Sequence, residues 1–138
     1  MKRQITLKSS FDSLSSVRGF IRGTIKRGKF NSITIDQIVL AVDEACSNII
    51  EHSYKMDNSK KFTIIVSVGK KMVSITIEDS GVGIVDKEIT KPDFKKYIRE
   101  RKEGGLGRYL IKKIMDEVIY SRKGGKNRLY MVKYYDKL

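Results

Sequence analysis

Residues 34–54 read TIDQIVLAVDEACSNIIEHSY, and two interleaved periodicities in this stretch decide the fold. Ile38, Val42, Ala45 and Ile49 recur at steps of three or four, so they share one apolar helix face. Glu44, Asn48 and His52 recur every fourth residue and form a polar stripe beside that face. Thr34 followed by Gln37 matches a capping box, predicting a helix from Ile35 to about His52. Such a stripe either rims a pocket or is a solvated face ending in a histidine. At a pocket, the Glu44 carboxylate can act as a general base and the Asn48 amide oxygen suits Mg²⁺.

Met56 to Lys61 is a polar turn, and beyond it Lys61–Gly69 and Lys71–Glu78 are β-branched runs about two residues apart, which predicts a hairpin. The second run ends in Asp79-Ser80-Gly81-Val82-Gly83. A carboxylate at a strand end can accept a hydrogen bond from an exocyclic amine while glycines clear room for a flat ring. The same residues also make an ordinary strand-ending turn. Residues 84–103 have no clean period, hold Pro92 and many charges, and read as a long loop with a helical turn around Phe94–Arg99. Gly104-Gly105-Leu106-Gly107 then opens a helix from Arg108 to Glu117, with Leu110, Ile111 and Ile114 inward. Free N–H groups and the helix dipole favour a phosphate at such a start, although a glycine turn alone has the same composition. The Walker pattern is absent, since Arg108 and Tyr109 follow Gly107. Val118–Ser121 and Leu129–Tyr135 read as closing strands around Gly124-Gly125-Lys126-Asn127.

Upstream, Lys2–Lys8 alternates as a short strand and Ser9 or Ser10 caps a helix with Leu14, Val17, Ile21 and Ile25 on one stripe, ending near Gly28. The order β-α-α-β-β-loop-α-β-β specifies an α/β chain of the α+β two-layer type: a mixed, mostly antiparallel sheet with helices on one face. With 138 residues, 40% of them hydrophobic, the chain is expected to form a single domain, 1–138. The lone Cys46 excludes a disulfide scaffold and reads as a small core residue, and one histidine beside it is too little for zinc. No apolar run approaches the roughly 18 residues of a membrane span, and MKRQITLKSSF has no apolar signal core, so a soluble cytoplasmic chain without a membrane partner is expected. The formal charge of +13 is unevenly spread: +7 over residues 1–30, −2 over 31–83 and +8 over 84–138. It suits an anionic partner (a nucleotide, an acidic protein or nucleic acid) or is simply a lysine-rich solvated surface. Nucleic acid is disfavoured, because no interleaved aromatics accompany the charge and the glycine stretches would have no use.

Taken in order, Glu44-Ala45-x-x-Asn48-x-x-x-His52-x-Tyr54, Asp79-x-Gly81-x-Gly83 and Gly104-Gly105-Leu106-Gly107-x-Tyr109-Leu110-Ile111 resemble the Bergerat-type ATP-binding fold shared by gyrase, Hsp90, histidine kinases and MutL. Within it, the chain looks most like the bacterial anti-sigma factor serine/threonine-protein kinases of the partner-switching type. The similarity includes the opening strand and the Leu14–Val17–Arg18–Phe20 helix, and no phosphoacceptor-histidine helix is present. The resemblance implies Glu44 as general base toward a substrate hydroxyl and Asn48 as the Mg²⁺ ligand beside the ATP phosphates. It implies Asp79 on the adenine amine, Gly81 and Gly83 shaping the base pocket, and 84–103 as the ATP lid. Gly104, Gly105, Leu106, Gly107 and Arg108 would embrace the phosphates, with Arg99, Arg101, Lys102 or Arg108 on the γ-phosphate. The implied function is an anti-sigma regulatory factor that uses Mg-ATP to phosphorylate an anti-sigma-antagonist (STAS-like) protein and sequesters a sigma factor or equivalent regulator. The alternative is a non-catalytic ATP-binding partner-switch module. A homodimer is common in that family and would use the first helix or its flanking strand, where Gly19 and Gly23 either permit close approach of another helix or simply weaken their own. One departure stands out: the fold often carries a Gly-x-Thr turn whose hydroxyl helps at the phosphate side, and Asn127 takes the threonine's place here. That weakens the case for catalysis more than the case for binding.

Overall fold

Alternation along the strands sets the architecture, because a sheet with one covered face buries every second side chain. The computed structural model describes residues 1–83 and 105–135. Its strands are β1 (Lys2–Lys8), β2 (Lys61–Val68), β3 (Met72–Asp79), β4 (Glu117–Lys123) and β5 (Lys126–Tyr134), in the sheet order β1-β2-β3-β5-β4. All four neighbouring pairs are antiparallel, so the expected mixed sheet is antiparallel throughout the described residues. The register aligns Ile5, Ile64, Ile77, Leu129 and Tyr120 in one cross-strand row and Arg3, Val66, Ile75, Met131 and Val118 in the next. Between them lies a row facing the other way, Gln4, Ile65, Thr76, Tyr130 and Ile119.

The apolar face is covered by α1 (Leu14–Ile25), α2 (Ser32–Asn48) and α3 (Gly105–Ile114). Leu14, Val17, Ile21 and Ile25 of α1 are buried as their spacing demands, and Ile38, Val42, Ala45 and Ile49 join them in one cluster with Phe62, Ile64, Ile75 and Ile77 of the sheet. Arg18–Asp43 at 2.8 Å and Arg22–Asp36 at 2.7 Å bridge α1 and α2 on the outside. As exposed pairs they contribute at most about 1 kcal/mol each. None of the described helices is long and apolar enough to cross a membrane.

Element ends differ from the sequence reading in instructive ways. Ser10 does cap, accepting the Asp12 N–H at 3.3 Å, but it heads a 3₁₀ turn, Phe11–Ser13, that feeds α1. α2 starts at Ser32, three residues before the expected Ile35, because Asn31 is the cap: its side-chain oxygen accepts the Thr34 N–H at 2.8 Å. α3 begins at Gly105 and ends at Ile114 rather than running from Arg108 to Glu117. The Asp116 N–H is taken by the Val132 carbonyl at 2.9 Å, so sheet pairing captures the chain where helical spacing alone would continue it. The closing hairpin is longer than expected because Gly124 and Gly125, at φ 59° and 76°, form the two-residue turn that strand twist favours. Gly104, the 84–103 lid and the turn expected at Phe94–Arg99 lie outside the described residues.

Replacing Asn31 by Ala is expected to lower stability by about 1 kcal/mol, the usual worth of an N-cap side chain. Thr34→Ala, which keeps the bonded N–H, should leave it nearly unchanged. Urea titration of both variants measures the difference.

Candidate functional site

The site begins where α2 changes pitch. Residues Ile49–Ser53 form a π-helical turn, closed by the Tyr54 N–H on the Ile49 carbonyl at 2.8 Å. One extra residue in the turn rephases everything after it, and it is Ser53, not His52, that is buried against the end of β3. His52 leaves the Glu44–Asn48 stripe, with Nε2 3.6 Å from the Glu51 carboxylate and no hydrogen bond among the described residues.

Asp79, the last residue of β3, is only 6% exposed and is held by three donors on a single oxygen. Its Oδ1 accepts from Ser53 Oγ at 2.5 Å, from the Gly81 N–H at 2.9 Å and from Asn127 Nδ2 at 2.9 Å. Among the described residues Oδ2 takes no hydrogen bond, and Asp79 lines the cleft between α2, α3 and the sheet. Tyr54 braces the same strand end: its hydroxyl donates to the Lys61 carbonyl at 2.6 Å and accepts the Ser80 N–H at 2.7 Å. Burial pushes that hydroxyl's pKa up, which keeps it protonated as a donor.

The following glycines have separate reasons. A Cβ on Gly81 would run into the Ser53 carbonyl, where the Val82 N–H also bonds at 2.9 Å. Gly83 has φ 88°, and a Cβ there would lie 2.7 Å from the Arg122 guanidinium and 2.9 Å from Asn127 Oδ1. Its N–H donates to Ser53 Oγ at 3.0 Å.

The cleft is partly enclosed, its mouth open to solvent. Asn48, 5% exposed, and Asp79 line it along with Arg108 of α3, and Ile49, Ile111 and Leu129 supply apolar walls. Glu44 stands one turn before Asn48. Gly107 packs directly on this pair: a Cβ there would be 2.8 Å from Glu44 Oε2 and 3.4 Å from Asn48 Nδ2. Burial first, then the nearby Asp43 and Glu51 carboxylates, raise the Glu44 pKa above the ordinary carboxylate value. The three sequence boxes therefore converge, with Glu44, Asn48 and Gly107 together and Asp79 with Gly81 and Gly83 nearby. Gly105 and Leu106 stand in the first turn of α3.

These residues suit a nucleotide. An open carboxylate oxygen beside apolar walls matches an amine-bearing base, and Asn48 offers an amide oxygen. Among the described residues no three His, Cys, Asp or Glu side chains cluster as a metal cage. The Asn48 amide oxygen suits Mg²⁺, which is commonly held by phosphate oxygens with one or two protein oxygens. Cys46 is fully buried and its thiol pKa is pushed far up by that burial, so it is the core residue expected.

Three participants escaped the sequence reading: Ser53, Arg122 and the actual position of Asn127. Asn127 is buried against Asp79, its register partner across β3 and β5. The π turn leaves no periodic mark, and the Asp79–Asn127–Arg122 row appears only once the register is known.

Comparison with known proteins agrees with this geometry. Residues 7–133 match the model of the histidine kinase-like ATPase domain. The chain belongs to this family. Among its curated relatives are proteins named serine-protein kinase RsbW, from Bacillus cereus strain ATCC 10987 at 28% identity and from Bacillus thuringiensis strain Al Hakam at 27%; each alignment covers 96% of this chain and 84% of the relative. The resemblance to anti-sigma factor kinases read from the three boxes is thus borne out. Among solved structures, that of the RsbU and RsbW domains of Rv1364c from Mycobacterium tuberculosis superposes with a TM-score of 0.68 at 17% identity, over 96% of this chain and 32% of that one. The histidine kinase AdeS of Acinetobacter baumannii superposes at 0.54 and 14% identity, over 98% of this chain and 68% of that one. Both share the fold.

Two glycine substitutions should separate folding from function. Gly81→Ala meets backbone and is expected to destabilise the protein by several kcal/mol in urea titration, an overpacking cost of about 1–3 kcal/mol or more. Gly107→Ala meets only the flexible end of Glu44, so it should fold normally while displacing that carboxylate. Glu44→Gln should raise the thermal midpoint. A raised carboxyl pKa contributes stability below the unfolded value that is lost as pH rises through the folded one. The gain from Gln therefore appears at neutral pH and vanishes once the solution is acidic enough to protonate Glu44 in both states.

Proposed function

We propose that this chain binds Mg-ATP in the cleft between α2, α3 and the sheet and transfers the γ-phosphoryl group to a serine or threonine of a protein substrate. The observation that carries the reading is Asp79, with one carboxylate oxygen saturated by three donors and the other left for a base amine, in a cleft that Asn48 also lines, with Glu44 and Gly107 packed beside Asn48. By analogy with the serine-protein kinases it resembles, the substrate is an anti-sigma-antagonist (STAS-like) protein. Phosphorylation makes that substrate release the chain, which then holds a sigma factor or an equivalent regulator.

In this reading, bound Mg-ATP supplies the phosphoryl group and the charge to be neutralised, as in other phosphoryl transfers. Asp79 orients the base through Oδ2. Asn48 offers its amide oxygen toward the metal and Gly107 keeps the surface flat beside it. Arg108, at the start of α3, adds a cation on the side where the phosphates lie. Glu44 takes the proton of the attacking hydroxyl at its carboxylate. Its raised pKa makes it a better proton acceptor than an exposed glutamate. Asn127 belongs to the base side, so its substitution for a threonine does not subtract from transfer.

Incubation with Mg-ATP and candidate antagonist proteins, read by phosphoserine formation, tests the proposal. Glu44→Ala is expected to retain ATP binding while losing about 10²- to 10⁴-fold in transfer rate, the usual contribution of a positioned base. In the wild type the rate should fall as the solution is acidified, with a midpoint above the ordinary carboxylate value. Tight ATP binding without transfer to any antagonist would instead identify a non-catalytic nucleotide-dependent partner switch.

A further inference from the structure

Arg122 stands out because it is exposed on β4 and yet is wired into the buried carboxylate. It is the register partner of Asn127, which is in turn the register partner of Asp79, so the three side chains form one cross-strand row on the helix-side face. Its Nη1 donates to Asn127 Oδ1 at 2.9 Å and to the Gly81 carbonyl at 3.1 Å. A guanidinium can only donate, so the Asn127 amide must turn its oxygen toward Arg122. Its Nδ2 is then forced toward acceptors: Asp79 Oδ1 at 2.9 Å and the Gly81 carbonyl at 3.0 Å, with Ser53 Oγ at a longer 3.4 Å. Both amide hydrogens are used, and the amide cannot flip without setting its oxygen against a carboxylate.

The consequence lies at Asp79. A carboxylate with both oxygens free can take two parallel hydrogen bonds from the N1–H and the exocyclic amine of guanine. Here Oδ1 already accepts from Ser53, the Gly81 N–H and Asn127, which uses up its lone pairs and holds the carboxylate plane. Only Oδ2 is left, a single acceptor that suits the lone exocyclic amine of adenine and opposes the carbonyl that guanine presents in the same place.

Resting on the nucleotide reading above, we infer that Arg122 is a positioning residue for base choice: by locking the Asn127 amide it secures the third donor on Asp79 Oδ1, holds the carboxylate plane and makes the site read adenine over guanine. Arg122 does this without contacting the base. An exposed cation near a nucleotide can also attract phosphate charge, but that attraction is the same for ATP and GTP and cancels in the ratio of their affinities. The ratio therefore isolates the positioning role.

The test is calorimetric titration of the full chain with Mg-ATP and Mg-GTP, for wild type, Arg122→Ala and Arg122→Lys. The side chain is exposed, and circular dichroism melting checks that the variants fold. Wild type is expected to prefer ATP. In Arg122→Ala the ATP affinity should fall about tenfold, as expected for losing a hydrogen bond to a charged group, while GTP binding becomes no weaker. The selectivity ratio then drops by about tenfold or more. Arg122→Lys keeps the charge without the two-point fork and should lose selectivity as well. Equal weakening of both nucleotides, or an unchanged ratio, overturns the inference and leaves the nucleotide reading intact. A folded wild-type protein that takes up neither nucleotide overturns both.

Discussion

One oxygen atom organises this site. Asp79 Oδ1 collects a hydroxyl from the π turn that ends α2, an N–H from its own glycine turn and an amide from β5. These elements are far apart in sequence, and the carboxylate is the point where helix layer and sheet are tied together at the cleft. Leaving so buried a charge unsatisfied would be costly. Satisfying it on one side only is what leaves a directional acceptor for a ligand.

The local irregularities fit that demand. A regular α-helical continuation through Ile49–Ser53 would not place Ser53 on Asp79; the wider turn does. Immediately afterwards Lys55 and Met56 take left-handed φ values of 50° and 67°, stopping the helix so that the chain can enter β2. Gly81 and Gly83 then let the strand end fold back over Ser53 and beneath Arg122 without collision. Departures from regular structure are concentrated around Asp79, on a scaffold that is otherwise an ordinary antiparallel sheet under helices.

The opposite end of the cleft works by crowding rather than by bonding. Gly107 lies so close to Glu44 and Asn48 that α3 and α2 present a nearly continuous surface there. The same proximity to α3, and to Asp43 and Glu51, holds the Glu44 pKa high. Burial and the neighbouring carboxylates disfavour the ionised form of Glu44, the property that the proposed proton-accepting role would use.

Much of this was legible in the chain itself. The stripes Leu14–Val17–Ile21–Ile25 and Ile38–Val42–Ala45–Ile49 dictate two core helices, and the β-branched runs around Gly69 dictate a hairpin, because burial must follow the period of the backbone. The ordered boxes at Glu44, Asp79 and Gly107 marked the family, since their residue types have to meet in any fold that uses them together. Cap identity was not legible: Thr34 and Asn31 are both credible caps, and only the backbone path decides whose side chain faces the free N–H. Nor was the π turn, since the spacing of SNIIEHSY serves a regular helix equally well. Asn127 and Arg122 acquire their roles from strand register, which is a relation between distant segments and is settled by packing the whole sheet. Periodicity thus determined the layers, and the ordered motifs carried the resemblance to the family. Tertiary structure alone decided which oxygen of Asp79 is occupied, because that depends on three donors brought from three separate parts of the chain.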